Sequence, residues 1–341
     1  MIDCLIIGGG ISGICVAFEL LNMGKSFEIY NDDKLGGSST VAAGIYNPML
    51  PKHQKMAFNA AELYPSVGGF YSKIEKFAGS HFHFYSPINY IFNSTAEQNN
   101  WSILLETEKF APFAKIETKK IDDYIKSPFG ILSINHSGRV DTQKMIKNVY
   151  KKFNEMKVLK STFFDESQIQ HFEDFIDYQG TQFKNIIFCQ GNYSSVDLKL
   201  KPAKGEILTI ECHSNFNNLI PQQGIFMAPD KPNVFKIGST FEWQNLNNTP
   251  TEKGKNEIIE KFTNWYSGSY NITEHIAGIR PASHDRRPLV GKIPNKINSF
   301  VLNGLGSKGV ALGPYYAKML VNNIYYKTPI DKEVDVKRIF I

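Results

Sequence analysis

An apolar run that meets three consecutive glycines opens this chain and restricts its fold more than any other feature. In the stretch MIDCLIIGGGISGICVAFELLNMGK, residues 2–7 have the length and β-branched character of a buried parallel strand. From Ile11 to Met23 the apolar spacing is helical, and Gly24 is placed to end the helix. Residues 26–30 (SFEIY) predict a second strand. The order strand, glycine turn, helix, strand is typical of nucleotide-binding α/β folds.

Three of the glycines, Gly8, Gly10 and Gly13, have the GxGxxG spacing of a dinucleotide-binding turn. In such a turn the first glycine permits a tight bend and the second lets the backbone approach a pyrophosphate. The third lets the helix pack closely on the strand, so that the helix N-terminus faces the anion. With Ile11 and Ser12 between them, these residues are the first predicted cofactor contacts.

The second strand of such a fold usually ends in an acidic residue that binds the ribose hydroxyls of the adenosine. The spacing gives this position to Asn31, whose side-chain oxygen can accept a hydrogen bond, though without charge assistance. If the strand continues for one more residue, Asp32 takes the role instead. The sequence leaves both residues as candidates.

Export and membrane insertion are competing interpretations of an apolar opening stretch. An export signal needs a basic segment before its apolar core, and here Asp3 is the only charged side chain ahead of the glycines. A membrane helix needs about 20 apolar residues, and Glu19 and Asn22 interrupt any such window. We therefore expect a cytoplasmic protein without a membrane span.

The composition is that of an ordinary globular protein, since 42% of the 341 residues are hydrophobic and 21% are charged. The net charge of +5 is small and thinly spread, so it gives no evidence for a nucleic-acid partner. The cysteines are Cys4, Cys15, Cys189 and Cys212. They show no spacing typical of a metal site, so we expect no metal and free, buried thiols.

Residues 34–55 (KLGGSSTVAAGIYNPMLPKHQK) interrupt the alternation of strands and helices that an NAD dehydrogenase would continue. A loop this long usually has a functional reason. It resembles a loop of the FAD-dependent D-amino-acid, glycine and sarcosine oxidases, the DAO-type flavoproteins, where that loop runs along the pyrophosphate and flavin. Within the family, GIYNPMLPK (44–52) is most similar to the oxidase domain of the bifunctional enzyme that modifies a wobble uridine of tRNA. The resemblance adds these cofactor contacts: Gly37, Ser38, Ser39, Thr40 and Gly44.

The resemblance to the DAO-type family recurs along the whole chain. It implies that Asp141 caps a helix and that Gly191 lies beside the nucleotide. The matching segments follow one another in the family's order: 138–152 (GRVDTQKMIKNVYKK), 184–195 (KNIIFCQGNYSS), 201–210 (KPAKGEILTI) and 234–243 (VFKIGSTFEW).

The resemblance implies an α/β fold with two domains. A Rossmann-like FAD-binding domain of the glutathione-reductase type would be assembled from residues 1–45, 138–205 and 273–341. Residues 46–137 and 206–272 would form an α+β substrate domain whose antiparallel sheet covers the flavin. FAD is expected to be non-covalent, because no cysteine lies where a covalent flavin link would be placed.

Arg280 is the main candidate for substrate binding. It stands before Pro281 at the end of an apolar strand, residues 276–279, and the proline keeps it extended. A guanidinium can hold a carboxylate through two parallel hydrogen bonds. The family resemblance implies this role, which makes Arg280 the predicted catalytic-site residue for the substrate.

A second glycine-rich turn precedes the last long helix, in FVLNGLGSKGVALGPYYAKMLVNNIY (300–325). The resemblance implies that the N-terminus of this helix points at the flavin carbonyl, where its dipole would stabilise negative charge. Lys308 either adds a full charge there, as a catalytic residue, or is a surface lysine that covers the loop. The other contacts predicted in this turn are Gly304, Gly306, Ser307 and Gly309.

The substrate pocket is where the sequence is least informative. Phe226 and Met227 stand where relatives often carry a tyrosine whose hydroxyl helps to hold the carboxylate, and core packing is an equal interpretation of Phe226. Tyr46 and Glu242 are the other candidates for contact with the substrate.

The resemblance implies oxidation of the C–N bond of a carboxylate-bearing amine or amino acid. Hydride would pass from Cα to flavin N5, water would hydrolyse the imine, and O2 or another acceptor would reoxidise the flavin. Two alternatives remain open: oxidation of the wobble-uridine side chain of tRNA, and an FAD-binding protein without catalysis.

Overall fold

The computed structural model describes residues 1–214, 216 and 218–340. Its α-helices are α1 (Ile11–Asn22), α2 (Ser38–Val41), α3 (Ala60–Ala78), α4 (Thr95–Leu104), α5 (Thr142–Glu155), α6 (Glu252–Thr263) and α7 (Gly309–Tyr326). Its strands are β1 (Ile2–Ile7), β2 (Phe27–Asn31), β3 (Ile45–Tyr46), β4 (Met49–Leu50), β5 (Lys55–Met56), β6 (His83–Tyr85), β7 (Ile88–Ile91), β8 (Ala114–Glu117), β9 (Ile131–Ile134), β10 (Gly138–Val140), β11 (Leu159–Ser161), β12 (Ile169–His171), β13 (Ile176–Tyr178), β14 (Thr181–Phe188), β15 (Ala203–Glu211), β16 (Ile220–Gln223), β17 (Ile225–Lys231), β18 (Val234–Gly238), β19 (Asn271–Arg280), β20 (Leu289–Lys292) and β21 (Ser299–Asn303).

The first sheet is built around β1. Its strands follow the order β11-β2-β1-β14-β13-β12, with β21 pairing parallel to β14 and β20 pairing antiparallel to β21. The central strands β11, β2, β1 and β14 are parallel, which explains why β1 is apolar along its whole buried length. One face of this sheet packs on α1, α3, α5 and α7, and the other on a second apolar cluster that includes Tyr178 and Phe183. This is the Rossmann-like part of the predicted fold.

The second large sheet is mostly antiparallel, in the order β19-β15-β18-β17-β16-β7-β9-β8, with β16 and β7 parallel. Helix α6 covers one face, where Ile258 and Phe262 pack against Leu208, Met227 and Ile237. The opposite face turns toward the glycine-rich turns of the first sheet. Because side chains alternate along a strand, this arrangement divides neighbouring residues of β15 and β17 between the α6 core and the opposite face.

The predicted elements at the start of the chain are confirmed with shifts of one residue. Strand β1 has the predicted bounds, α1 ends at Asn22 instead of Met23, and Gly24 follows it with a positive φ of 64°. Strand β2 ends at Asn31, one residue later than predicted. Asp141 caps α5 as expected, since its Oδ1 accepts a hydrogen bond from the Lys144 N–H at 2.9 Å.

The division into two domains stays a proposal, and the strands place two of its boundaries differently. The predicted limits at 205 and 273 fall inside β15 and β19, which belong to the second large sheet along their whole length. Helix α3 lies in the segment predicted for the substrate domain, yet it packs in the apolar core beside α1, α5 and α7. Packing rather than chain position therefore decides which layer each of these elements joins.

All four cysteines are free and buried, as predicted. Burial raises the pKa of the Cys4 thiol to about 12.

Among the described helices, none combines the length and the apolar character needed to cross a membrane. The residues that the structure describes also contain no cluster of side chains able to hold a metal ion.

Candidate active site

Two joined clefts lie between the glycine-rich turns and the second large sheet. The first cleft, of about 920 Å³, is lined by the turn after β1, the end of β2, and residues 35–39 and 189–193. The second cleft, of about 860 Å³, is lined by residues 41–45, parts of β15 and β19, and the turn before α7. The clefts share these lining residues: Ile11, Ser12, Ser38, Ser39 and Pro281.

The turn after β1 has no space for a side chain at Gly8 or Gly9. Gly8 has a φ of 97°, and a Cβ atom there would lie 2.6 Å from the Cys189 carbonyl oxygen. A Cβ atom on Gly13 would lie 1.9 Å from the Gly8 carbonyl oxygen, so this glycine sets the distance between helix and strand. Gly10 precedes α1 and lines the first cleft, and the Ile11 N–H donates to Ser39 Oγ at 3.1 Å. These contacts agree with the turn and packing roles predicted for Gly8 and Gly13, and the approach of Gly10 to a pyrophosphate stays a prediction.

The middle glycine, Gly9, is held by two side chains. Its N–H donates to Asn31 Oδ1 at 2.8 Å, and its carbonyl oxygen accepts a hydrogen bond from the Tyr150 hydroxyl at 3.0 Å. A Cβ atom on Gly9 would lie 2.2 Å from that hydroxyl oxygen. The spacing GxGxxG does not require a glycine at this position, so Gly9 was the one sequence signal for Tyr150, which the sequence analysis did not identify.

Asn31 and Asp32 both line the first cleft. Asn31 ends β2 and uses its amide to donate to Asp33 Oδ1 at 2.7 Å, while Asp32 Oδ1 accepts from the Lys34 N–H at 2.9 Å and caps the next turn. Each side chain is therefore oriented by a neighbour, and the choice between them as the ribose ligand stays a prediction.

The segment after β14 contributes polar atoms to the first cleft. Gly191 has a φ of 58° and lines this cleft beside Asn192. Asn192 donates to the Ile279 carbonyl oxygen at 2.5 Å, and its Oδ1 is buried with no partner among the described residues. Phe163 also lines this cleft, and neither it nor Asn192 carries a motif that sequence analysis could have used.

The loop after β2 divides between the two clefts. Gly37, Ser38 and Ser39 line the first cleft, and Gly44 lines the second. Thr40 lines neither, because its hydroxyl donates to the Gly37 carbonyl oxygen at 2.8 Å and its own carbonyl oxygen accepts from the Gln143 amide. Its placement supports a structural role in α2 instead of the predicted cofactor contact.

Arg280 lies at the end of β19 and lines the second cleft. Its Nη1 donates to the carbonyl oxygens of Lys204 and Thr240, both at 3.2 Å, and its Nη2 donates to Ser239 Oγ at 2.8 Å. A guanidinium has five N–H donors, so two remain without a partner among the described residues. Burial lowers the pKa of Arg280 to about 10, which leaves the side chain a cation at neutral pH.

Gly205 and Phe241 enclose the guanidinium of Arg280. A Cβ atom on Gly205 would lie 1.9 Å from Nη2, so only glycine leaves room for this side chain. The guanidinium carbon lies 4.2 Å from the centre of the Phe241 ring, a cation–π contact. The orientation of the arginine is thus decided by residues far away in sequence.

The turn before α7 opens on the second cleft through Gly306, Ser307 and Gly309. Gly304 is buried, and its positive φ of 71° forms the bend between β21 and α7. Lys308 precedes α7 and is not among the lining residues of either cleft. Burial, and then the charge of Arg286, lower the pKa of Lys308.

Helices α1 and α7 pack side by side, which brings the two glycine-rich turns together. A Cβ atom on Gly313 of α7 would lie 3.0 Å from the Cys15 Sγ of α1, and one on Gly309 would lie 3.6 Å from Ile11. Small residues at this contact allow the close approach of the two helices. The two turns therefore border the same pair of clefts.

The substrate residues predicted from the sequence are only partly brought together. Phe226 lines the second cleft, and Met227, its neighbour on β17, is buried under α6 because side chains alternate along a strand. Tyr46 is buried, with its hydroxyl 2.8 Å from His83 Nε2. Glu242 accepts hydrogen bonds from the Trp243 and Gln244 N–H groups. Tyr46, Met227 and Glu242 line neither cleft.

Residues 3–323 match the family model described as DAO, FAD dependent oxidoreductase. The chain belongs to this family. It is an FAD-dependent oxidoreductase, as predicted, and FAD is its cofactor. The residues present fit FAD: the glycine cradle lines the first cleft, the start of α7 lines the second, and the start of α1 lines both.

Two relatives and one solved structure illustrate the similarity. The glycine oxidase of Bacillus subtilis is 22% identical over 352 residues, covering 95% of this chain and 93% of that enzyme. The tRNA 5-methylaminomethyl-2-thiouridine biosynthesis bifunctional protein MnmC of Marinobacter nauticus is 28% identical over 141 residues, which cover 37% of this chain and only 22% of that protein. The iminodiacetate oxidase of Chelativorans sp. BNC1 superposes with a TM-score of 0.82 at 16% identity, over 98% of this chain and 99% of that one. This last likeness confirms the fold.

Proposed function

We propose that this protein oxidises the C–N bond of an amine or amino acid that carries a carboxylate. The observation that supports this proposal is the setting of Arg280. Among the described residues that line the second cleft, it is the one charged side chain. Glycine oxidase and iminodiacetate oxidase, which resemble this chain in sequence or fold, are named for substrates with an amine and a carboxylate.

The free donors of Arg280 suit a carboxylate. Three of its hydrogen bonds go to neutral oxygens of the protein, and no carboxylate in the described part of the chain forms an ion pair with it. A partly buried cation without a counter-ion is costly, and a bound anion relieves that cost. The two remaining N–H donors would bind the substrate carboxylate and so orient the carbon beside it.

The rest of the second cleft favours a neutral amine. Its wall is formed mainly by apolar side chains, including Ile45, Ile207 and Phe226, and it contains no carboxylate or imidazole among the described residues. When bound, FAD supplies the two-electron acceptor for oxidation of the C–N bond to an imine, which water then hydrolyses. The chain's own contribution is to orient the substrate, exclude water and place the start of α7 beside the cofactor site.

Anaerobic reduction of the bound flavin tests this proposal directly. The FAD-loaded protein should lose its yellow colour when mixed with one or more of a set of amino acids and N-methylated amino acids. It should keep its colour with the corresponding amines that lack a carboxylate. A yellow protein that no amine bleaches would contradict the proposal and leave an FAD-binding protein without catalysis.

Replacing Arg280 gives the sharper test of its role. Arg280→Leu should leave the visible spectrum intact and raise the half-saturation for a carboxylate substrate at least about tenfold, because a charge-assisted hydrogen-bond pair is lost. Arg287→Leu, which removes an exposed ion pair with Glu333, is the control and should leave the half-saturation unchanged. An unaltered value in Arg280→Leu would remove Arg280 from the substrate site.

A second candidate function is oxidation of the side chain of a wobble uridine of tRNA. Similarity to the bifunctional tRNA-modifying protein supports it, as does an exposed pair of aromatic rings beside Arg280. Phe241 and Trp243 are 52% and 60% exposed and stack with their ring centres 6.3 Å apart. Such rings suit stacking of unpaired bases. Binding of tRNA that weakens steeply as salt rises would favour this candidate.

A further inference from the structure

The segment that shapes Arg280, residues 239–251, is held without an apolar anchor. Three of its side chains are large and apolar, Phe241, Trp243 and Leu246, and all three are exposed. Three of the contacts with Arg280 nevertheless come from this segment: Ser239 Oγ, the Thr240 carbonyl oxygen and the Phe241 ring. Its position must therefore depend on polar contacts, and we refer to residues 239–251 as the arginine loop.

Lys204 supplies one group of those polar contacts. It lies on β15 and is 1% exposed. Its Nζ donates to Asn247 Oδ1 at 3.2 Å and to the Thr249 carbonyl oxygen at 2.5 Å. Its backbone N–H and carbonyl oxygen pair with those of Glu242. One buried lysine therefore binds the arginine loop at its middle and near its end.

Glu206 supplies the other group of contacts. It is 3% exposed, lies 3.5 Å from the Lys204 Nζ, and accepts hydrogen bonds from the N–H and hydroxyl of Thr251 at 2.9 and 2.8 Å. His275 Nε2 lies 2.8 Å from the same carboxylate. The Glu206 N–H also donates to Thr240 Oγ1 at 3.0 Å. Both ends of the arginine loop are thus tied to this residue.

A buried ion pair is a poor source of stability, because desolvation of two charges offsets much of their attraction. Here the pair lies on the α6 side of β15, and Gly205 between its two members carries the Arg280 guanidinium on the opposite side. We propose that Lys204 and Glu206 are positioning residues that hold the arginine loop over Arg280 and thereby set the affinity for the substrate carboxylate. The inference rests on the proposed function for the identity of the ligand, but not for the anchoring itself.

Two disrupting variants, one restoring variant and two controls test the anchor. Lys204→Met keeps the length of the side chain and removes its charge, and Asn247→Ala removes the exposed acceptor that binds both Lys204 Nζ and the Thr249 N–H. Asn245→Ala on the same loop and Lys261→Met, which breaks an ion pair within α6, are the matched controls. Lys204→Met should raise the half-saturation for a carboxylate-bearing amine about tenfold and Asn247→Ala about threefold, with kcat nearly unchanged. The methyl ester of the same amine should show no such shift, and Lys204→Arg should restore part of the affinity.

Limited chymotrypsin digestion of the FAD-loaded protein reports the loop without reference to activity. Chymotrypsin cuts after aromatic residues, and two of these, Phe241 and Trp243, lie on the arginine loop. Cleavage there should be at least about tenfold faster in Lys204→Met and faster in Asn247→Ala than in either control, because a released loop opens locally. If Lys204→Met does not fold, the result for Asn247→Ala decides whether the loop is anchored as proposed. Unchanged cleavage and half-saturation in Asn247→Ala would then overturn the proposal.

The two proposals fail in different ways. If no amine reduces the flavin of the unmodified protein, the proposed function is wrong, and chymotrypsin cleavage still judges the anchor. If an amine is oxidised but the carboxylate and its ester respond equally to Lys204→Met, the residue is merely structural and the positioning role is wrong.

Discussion

Gly9 illustrates how a single residue in this protein is explained by its contacts and not by its motif. Its N–H and carbonyl oxygen are both bound by side chains, from Asn31 at the end of β2 and Tyr150 on α5. The peptide groups on either side of Gly9 are therefore fixed before a ligand arrives. Preorganised backbone groups bind a ligand with a smaller loss of entropy.

Tyr150→Phe should weaken FAD binding by about three- to tenfold, the effect expected from losing one hydrogen bond that orders the turn. The measurement is a titration of the apoprotein with FAD in which the quenching of flavin fluorescence reports binding. Tyr326→Phe, at an exposed tyrosine on α7, is the control. Equal affinities in the two variants would show that the Tyr150 hydroxyl does not order the turn.

Residue type alone also misassigns neighbours on a strand. Phe226 and Met227 are equally good candidates for substrate contact when only the sequence is considered, but only Phe226 lines the second cleft. The face on which each side chain lies depends on the register of β17 against β18. No local pattern in this segment reports that register.

Among the secondary-structure elements, β1 is tied to its neighbours by one carboxylate. Asp3 accepts hydrogen bonds from the Ser26 N–H and hydroxyl and from Lys184 Nζ, which link the start of β1 to the residue before β2 and to β14. Partial burial alone would raise the pKa of Asp3, but the hydrogen bonds from Lys184 and Ser26 outweigh it and lower the pKa to about 2. The link between the start of β1 and its two neighbouring strands therefore depends on an ionised aspartate.

The stabilising effect of Asp3 should be lost in acid. A carboxylate whose folded-state pKa lies below its unfolded value of about 3.9 stabilises the protein above that value. The contribution then falls as the pH drops from about 4 to about 2. Asp3→Asn should lower the free energy of unfolding in urea by about 1 kcal/mol at pH 7 and by much less near pH 2. Glu173→Gln, at an exposed carboxylate, should show no such pH dependence; a constant deficit in Asp3→Asn would contradict the assignment.

In the whole molecule, FAD and the substrate are expected to meet where the two large sheets face one another. The starts of α1 and α7 belong to helices that pack on the first sheet, and Gly205, Phe226 and Arg280 lie on strands of the second sheet. A ligand that fills both clefts therefore contacts both sheets. Its binding should couple their unfolding, because a ligand specific for the native state stabilises every element that forms its site.

FAD at about 100 times its dissociation constant should stabilise the protein by about 2.7 kcal/mol. Differential scanning calorimetry of the apoprotein and the FAD-loaded protein should show one transition that shifts to higher temperature as a whole. Two transitions of which FAD moves only one would contradict the placement of the cofactor between the sheets.

The sequence by itself determined the start of the fold and the class of cofactor. The glycine turn, β1, α1 and β2 are built from neighbouring residues, so their spacing and local backbone preferences were enough to predict them. The family resemblance supplied the identity of FAD and the choice of Arg280.

Tertiary structure alone decided how these parts form a site. It joined Tyr150 to Gly9, placed Gly205 under Arg280, and brought Lys204 and Glu206 to the arginine loop. In the tertiary structure, Thr40 and Met227 also lie outside both clefts. These contacts connect residues distant in the chain and depend on strand register, side-chain alternation and the space left by absent Cβ atoms, none of which leaves a regular pattern in one sequence.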